Sequence, residues 1–226
     1  MRRGPISEQE WLRIRLAAVA KQIVDRGVKN PHVLEAMRQV PRQNFLPPGI
    51  APALVYADRA LPIGFDQTIS QPYIVAYAAE QLELTGQEII LEIGSGSGYQ
   101  AAVLSRLAKE IITVEYLAEL AQFAQENLAR LDIKNVTVRQ GDGFEGLMES
   151  APYDRIIIAA AAHYVPKALM AQLNCPGRLL APIGTRAKQQ FILYDKVQDP
   201  PNPPKIVQQP LISVAFVPMR GQIETG

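Results

Sequence analysis

Residues 91–100 read "LEIGSGSGYQ". An apolar run, "EIILEI" (88–93), leads into the glycines, and a helical pattern, "YQAAVLSRLA" (99–108), leaves them. A strand, a tight glycine turn and a helix form the opening unit of a doubly wound α/β sheet. Working outward, the alternation continues. "EIITVEY" (110–116) is a second strand and "LAELAQFAQENLARL" (117–131) a second helix. "NVTVRQ" (135–140), "YDRIIIAA" (153–160) and "GRLLAPIG" (177–184) are further strands. Strands alternating with helices of this length predict a mostly parallel sheet. "QQFILYDKV" (189–197) and "PLISVAFVPM" (210–219) are joined by a short link that begins with the proline-rich "QDPPNPP" (198–204). That link has no room for a crossover helix, so at least one of these strands is expected to run antiparallel.

Upstream of residue 87 the pattern is helical and irregular. Ser7 and Glu10 have the spacing of a capping box, and Gly27 stops the helix they start. A second helix is expected from Pro31 to Gln39, and another from Pro72 to Leu84. Five prolines between residues 41 and 62 predict an irregular connection. The expected organisation is a single domain over 1–226, with 1–62 as a helical and irregular extension packed on it.

Composition narrows the function. Lys plus Arg is 23 against 22 for Asp plus Glu, so no long-range field draws the chain to nucleic acid or an anionic membrane. One cysteine, Cys175, allows no internal disulfide, and two distant histidines, His32 and His163, make a metal site unexpected. No segment nears the ~20 apolar residues of a membrane span. The first ten residues, "MRRGPISEQE", lack an apolar leader pattern, so a cytoplasmic protein is expected.

The glycine turn has acidic company. Gly94, Gly96 and Gly98 let the backbone approach a ligand without a Cβ in the way. Glu115, at the end of the second strand, is placed to accept both ribose hydroxyls of a nucleoside. Asp142, in "GDG" after the third strand, is placed to accept from an adenine amino group while the Gly143 N–H donates to the ring. Two nucleoside cofactors compete for such a loop. Dinucleotides prefer G-x-G-x-x-G facing a pyrophosphate. Here the order is E-x-G-x-G-x-G, and Glu92 just before the loop repels phosphate but suits a cationic amino-acid end. Charge therefore favours S-adenosylmethionine.

The acceptor is read from what the site lacks. The segment after the fourth strand, "AAAAHYVP" (159–166), has none of the acceptors that amino-methylating enzymes carry there. Pyrimidine C5 methylation needs a thiolate, and Cys175 in "LNCPG" stands away from a nucleophile's place. A carboxylate acceptor needs no general base, because it is ionised at neutral pH. It needs only alignment. The hydroxyls of Thr68 and Ser70 in "IGFDQTISQPYI" (63–74) suit that task, each bond to a charged group contributing roughly 1.5–3 kcal/mol. Asp66 in the same stretch reads as a turn or cap residue. Methylation of RNA or of a small acid, and a non-catalytic adenosyl-binding module, remain open from the residues alone.

"ALPIGFDQTISQPYIVA", "LEIGSGSGYQ", "GDGFEG", "APYDRIIIAAAA" and "VAFVPM" together resemble the protein-L-isoaspartate (D-aspartate) O-methyltransferase family, over about residues 8 to 220. The resemblance implies methyl transfer from S-adenosylmethionine to the free α-carboxylate of isoaspartyl residues, and of D-aspartyl residues as a further acceptor. The ester then closes to a succinimide whose hydrolysis restores some normal aspartate. The implied partners are damaged proteins and peptides, with no nucleic acid or membrane, and a monomer is favoured. By resemblance Ser70 is the active-site residue, and Thr68 and Ile69 line its pocket. Glu92, Gly94, Gly96, Glu115, Asp142 and Gly143 match the cofactor site. Two departures stand out: Tyr73, where many members have His, and Asn174-Cys175-Pro176, in place of a more usual charged-glycine turn.

Overall fold

The computed structural model describes residues 6–225. The expectation drawn from the first ten residues falls partly on 1–5, outside the described residues.

A seven-stranded sheet runs in the order β5-β4-β3-β6-β7-β8-β9. Its members are β3 (Ile89–Ile93), β4 (Glu110–Glu115), β5 (Val136–Gln140), β6 (Tyr153–Ile158), β7 (Leu173–Thr185), β8 (Lys188–Asp199) and β9 (Asn202–Val214). Strands β3 to β7 pair in parallel, and β7-β8 and β8-β9 pair antiparallel. The expected doubly wound sheet with an antiparallel C-terminal end is the fold observed.

Alternation along the strands splits the core over two faces. Ile90 and Ile111 point to one face, where the helices α4 (Pro72–Gln81), α5 (Tyr99–Leu104) and α6 (Ala118–Arg130) pack. Leu91, Ile93, Ile112 and Val114 point to the other, against α7 (Lys167–Gln172). Helix α7 was not expected from the sequence.

The N-terminal helices follow the predicted signals. The Ser7 side chain accepts from the Glu10 N–H and opens α1 (Glu8–Ala18). A π turn over Val19–Ile23 and a 3₁₀ turn over Val24–Arg26 carry the chain to Gly27, which stops it with φ 96°. Helix α2 (Pro31–Gln39) has the expected bounds, with the Asn30 side chain accepting from the His32 and Val33 N–H groups. Val19, Ile23, Val33, Met37 and Phe45 join the same buried cluster as Ile90 and Tyr99. The 41–62 connection is more ordered than expected. It holds a 3₁₀ turn at Arg42–Phe45 and the short helix α3 (Pro52–Val55).

Two further differences bear on the site. The stretch holding Thr68 and Ser70, for which the sequence predicted no element, forms a hairpin, β1 (Leu61–Gly64) with β2 (Gln67–Ile69). Its two-residue turn is Phe65-Asp66, both with positive φ (54° and 57°). That turn shape matches the twist of the paired strands, and it gives Asp66 the turn role expected of it. Strand β9 also begins eight residues earlier than predicted and ends at Val214. Pro203 and Pro204 sit in it without breaking the sheet, because β9 is an edge strand and its pairing with β8 is irregular between Asn202 and Lys205. The "VAFVPM" segment therefore leaves the sheet rather than extending it. It runs beside Ala161, whose N–H donates to the Val217 carbonyl while the Met219 N–H donates back to the Ala161 carbonyl, both at 2.8 Å.

Candidate active site

Two cavities meet at the carboxyl ends of the parallel strands. The first, about 800 Å³, lies over the glycine loop between β3 and α5. Gly94, Ser95, Gly96 and Ser97 form its floor, with Glu115 from the end of β4 and Gly143 from beyond β5. The second, about 1250 Å³, is bounded by Arg26, Asp58, Arg59, Tyr73 and the chain from Ile212 to Val217. Thr68, Ser70, Ala159 and Val217 line both. They form the partition between the cavities.

The hairpin explains why these hydroxyls sit there. Successive side chains of β2 alternate, so Ile69 is buried in the core while Thr68 and Ser70 turn to the opposite side. Ile69 also reaches the wall of the first cavity. The position of Ser70 is held from behind. Arg42, fully buried, donates from Nη1 to the Ser70 carbonyl at 2.7 Å and from Nε to the Val55 carbonyl at 2.9 Å. Its guanidinium also lies 5.1 Å from the centre of the Tyr99 ring. Burial lowers the Arg42 pKa, opposed by the nearby Tyr99 and Tyr56. Burial likewise pushes Tyr99 up to about 12, so the phenol stays neutral. Tyr99 lines the first cavity.

The acidic residues divide into two groups. Glu115 reaches the cavity, its carboxylate oriented by the Gly96 N–H at 2.9 Å and the Leu117 N–H at 3.1 Å. Glu92 does not line it. The carboxylate is fully buried one layer behind the wall, accepting from Gln100 Nε2 at 3.0 Å and bonded to Thr113 Oγ1 at 2.5 Å. Burial raises its pKa to about 7, with Glu115 adding to the rise and the two hydrogen bonds opposing it.

Asp142 is also absent from the lining. Its Oδ1 accepts from the Phe144 N–H and its Oδ2 from the Gln222 N–H, each at 2.9 Å. The neighbouring Gly143 does reach the cavity. Gly98 starts α5 in the left-handed region at φ 83°, against Ala124, and supports the loop without touching the cavity. Of the residues singled out from the sequence, the cavities thus bring together Thr68, Ile69, Ser70, Gly94, Gly96, Glu115 and Gly143. Glu92, Gly98 and Asp142 stand behind them. His163 is exposed and lines neither cavity.

The lining suits a cationic ligand better than a phosphate. Glu115 is its carboxylate, and no lysine contributes. Arg220 stands at the rim near the hairpin turn, donating to the Phe65 carbonyl at 3.4 Å. A phosphate site would instead need cations or a full turn of free N–H groups at the loop. Among the described residues no cluster of three His, Cys, Asp or Glu is arranged for a metal. No helix among them is long and apolar enough to cross a membrane.

The model of the family described as Protein-L-isoaspartate(D-aspartate) O-methyltransferase matches residues 15–224. The chain belongs to this family. A protein-L-isoaspartate O-methyltransferase of Picosynechococcus sp. is 43% identical over 208 residues, covering 92% of this chain and 90% of the relative. Protein-L-isoaspartate O-methyltransferase 1 of Rhodopseudomonas palustris is 46% identical over 225 residues, covering 97% and 89%. A solved protein-L-isoaspartate O-methyltransferase superposes with a TM-score of 0.82 at 30% identity, covering 92% of this chain and 67% of that one. A Plasmodium falciparum structure described as a putative member, in complex with S-adenosyl-L-homocysteine, superposes at 0.77 with 22% identity and supports the fold alone. The family resemblance carried by the QTIS and VAFVPM segments is borne out.

Some residues that build the isoaspartate O-methyltransferase site were missed in the sequence. Ser95, Gln100 and Thr113 join Glu92 in one buried network, and Arg42 links the Ser70 carbonyl to Tyr99, a residue for which the sequence left the cofactor and the sheet as alternatives and which lines the first cavity. Thr113 alone carried a signal, as a hydroxyl inside an apolar strand.

Proposed function

We infer that the chain transfers a methyl group from S-adenosylmethionine to the free α-carboxylate of isoaspartyl residues in proteins and peptides. Family membership supports this reading, and one observation carries it at the site: the same two hydroxyl residues, Thr68 and Ser70, face both cavities. Neither hydroxyl has a hydrogen-bond partner among the described residues. Both are therefore available to an incoming oxygen at the boundary between donor and acceptor.

The first cavity is assigned to the donor. Glu115, already oriented by two N–H groups, would hold the ribose hydroxyls. Gly143 would meet the adenine end, with Asp142 behind it holding the loop through the Phe144 and Gln222 N–H groups. Gly94 and Gly96 admit the ligand backbone-close, and Glu92 supplies negative charge from behind. The bound donor contributes an electrophilic methyl on a positively charged sulfur.

The second cavity is assigned to the peptide. Thr68 and Ser70 hold one carboxylate oxygen by donating to it, and Ile69 fixes their register by its burial. No residue must remove a proton, because the attacking oxygen is already negative. The contribution of the protein is alignment and exclusion of water. The chain acts as a single domain and as a monomer, both cavities being built from one chain, and a cytoplasmic location agrees with the lone Cys175. D-aspartyl acceptance belongs to the same cavity.

The test is methyl transfer from radiolabelled S-adenosylmethionine to an isoaspartyl peptide and to its normal aspartyl twin. Base-labile label on the isoaspartyl peptide alone is expected. Equal label on both, or none on either, overturns the assignment.

A further inference from the structure

Glu92 is a fully buried carboxyl group with no cation in contact among the described residues. Its partners are neutral, and both lead to the donor cavity. Gln100 lines that cavity directly. Thr113 Oγ1 is 2.7 Å from Ser95 Oγ, and Ser95 lines the cavity as well. In register, Glu92 lies between Thr113 on β4 and Ile157 on β6, so neither flanking strand brings a compensating charge. From α5 it meets the amide of Gln100, and the nearest acid acting on it is Glu115.

The direction of the hydroxyl chain depends on the state of Glu92. With a charged carboxylate, Thr113 must donate its single proton to Glu92. Ser95 must then donate to Thr113, leaving a Ser95 lone pair for the cavity. With a neutral carboxyl group the order reverses, and Ser95 is free to donate into the cavity. A positively charged ligand favours the first arrangement, by charge and by hydrogen bonding together.

We propose that Glu92 is a positioning residue that couples donor binding to proton release: its carboxyl O–H breaks when the cationic donor enters, and it is restored after the methyl has left. The proton passes to bulk water on binding, and water supplies it again once the sulfur is a neutral thioether. The buried carboxyl thereby favours the charged donor over the uncharged product. A pKa near 7 puts the group in the range where both forms coexist at neutral pH. The proposal rests on the assignment of the first cavity to S-adenosylmethionine.

The test is calorimetry of S-adenosylmethionine and of S-adenosylhomocysteine binding at pH 7, in phosphate and in Tris, whose ionisation heats differ. Donor binding should release a measurable fraction of a proton, and product binding less. In Glu92→Gln the buffer dependence should vanish, and donor affinity should fall by more than product affinity. Thr113→Val should retain the proton release while weakening the preference for donor over product. Identical heats in the two buffers for the wild type, or a release that survives in Glu92→Gln, overturns the proposal. Should Glu92→Gln not fold, carbon NMR of glutamate-labelled wild type decides: one carboxyl must titrate near neutrality and ionise on adding donor, and its absence is equally fatal. Failure of the donor to bind at all would instead reject the cavity assignment.

Discussion

The guanidinium of Arg42 and the carbonyl of Ser70 are joined by a 2.7 Å hydrogen bond inside the protein. The same side chain reaches the carbonyl of Val55 and the face of Tyr99. A buried cation with no carboxylate partner is stabilised here by carbonyl dipoles and an aromatic ring. It ties the end of the β1–β2 hairpin to the wall of the first cavity.

Removing that tie should cost both stability and rate. Arg42→Met keeps much of the side-chain volume but strands the carbonyls. Urea unfolding should show a loss of about 2–5 kcal/mol. Turnover should fall more than donor affinity, because Ser70 loses its support while Glu115 does not. Wild-type turnover in a folded Arg42→Met variant would remove Arg42 from any positioning role.

Ser70→Ala should leave donor affinity unchanged and lower catalytic efficiency by ~10–100-fold, through lost alignment of the acceptor oxygen. Steady-state kinetics with an isoaspartyl peptide, beside donor binding by calorimetry, separates the two effects. An unaltered efficiency would leave Ser70 without a task.

Glu92 makes the ligand-free protein less stable as pH rises. Its folded pKa of about 7 lies above the ordinary 4.5, so the native state holds a proton that the unfolded chain has already lost. Stability from this group is present below about 4.5, declines as pH climbs to 7, and is level above it, a total of about 3 kcal/mol. Glu88 is lowered instead, by hydrogen bonds from Thr85 acting against its burial, and its opposite slope falls below the ordinary carboxylate range. Urea midpoints between pH 5 and 8 should therefore fall in the wild type and flatten in Glu92→Gln. A wild-type profile without that decline would refute the burial argument.

Gly143→Ala should damage the site by steric means alone. A Cβ there would stand 2.2 Å from Ile93 Cγ2, close to the branch point of a buried side chain in β3. The strand or the loop must shift, which costs on the order of 1–3 kcal/mol. Donor affinity should weaken along with thermal stability. A variant with normal binding would show that the loop moves without consequence.

Much of this architecture was legible in the residues. The strand–glycine–helix unit at 88–108 is local, and periodicity and turn chemistry mark it directly. Helix α2 was legible for the same reason, with Pro31 in its first turn and Pro41 beyond its end. The β1–β2 hairpin was not. Its turn is Phe65-Asp66, without the glycine or asparagine that usually announces such a shape. Strand β9 was misread at both ends, because its early residues are polar and exposed on an edge, and its apolar ending packs against Ala161 instead of another strand.

The site was legible in part. Glu115 and Gly143 follow strand ends, and the sheet places such residues together. Glu92 and Asp142 were identified by position, but which way a side chain turns depends on partners distant in the chain. Thr113 draws Glu92 inward from 21 residues away, and the Gln222 N–H meets Asp142 from 80. Arg42 offered no clue, since its partners are carbonyls, which every residue has.

The partition formed by Thr68, Ser70, Ala159 and Val217 has a kinetic consequence. With the nucleoside assigned to the first cavity and the peptide to the second, neither ligand must wait for the other to depart. A peptide can exchange while the nucleoside stays seated, and a bulky protein need thread only a short segment inward. Initial-rate patterns should accordingly intersect, with no compulsory sequence of arrival.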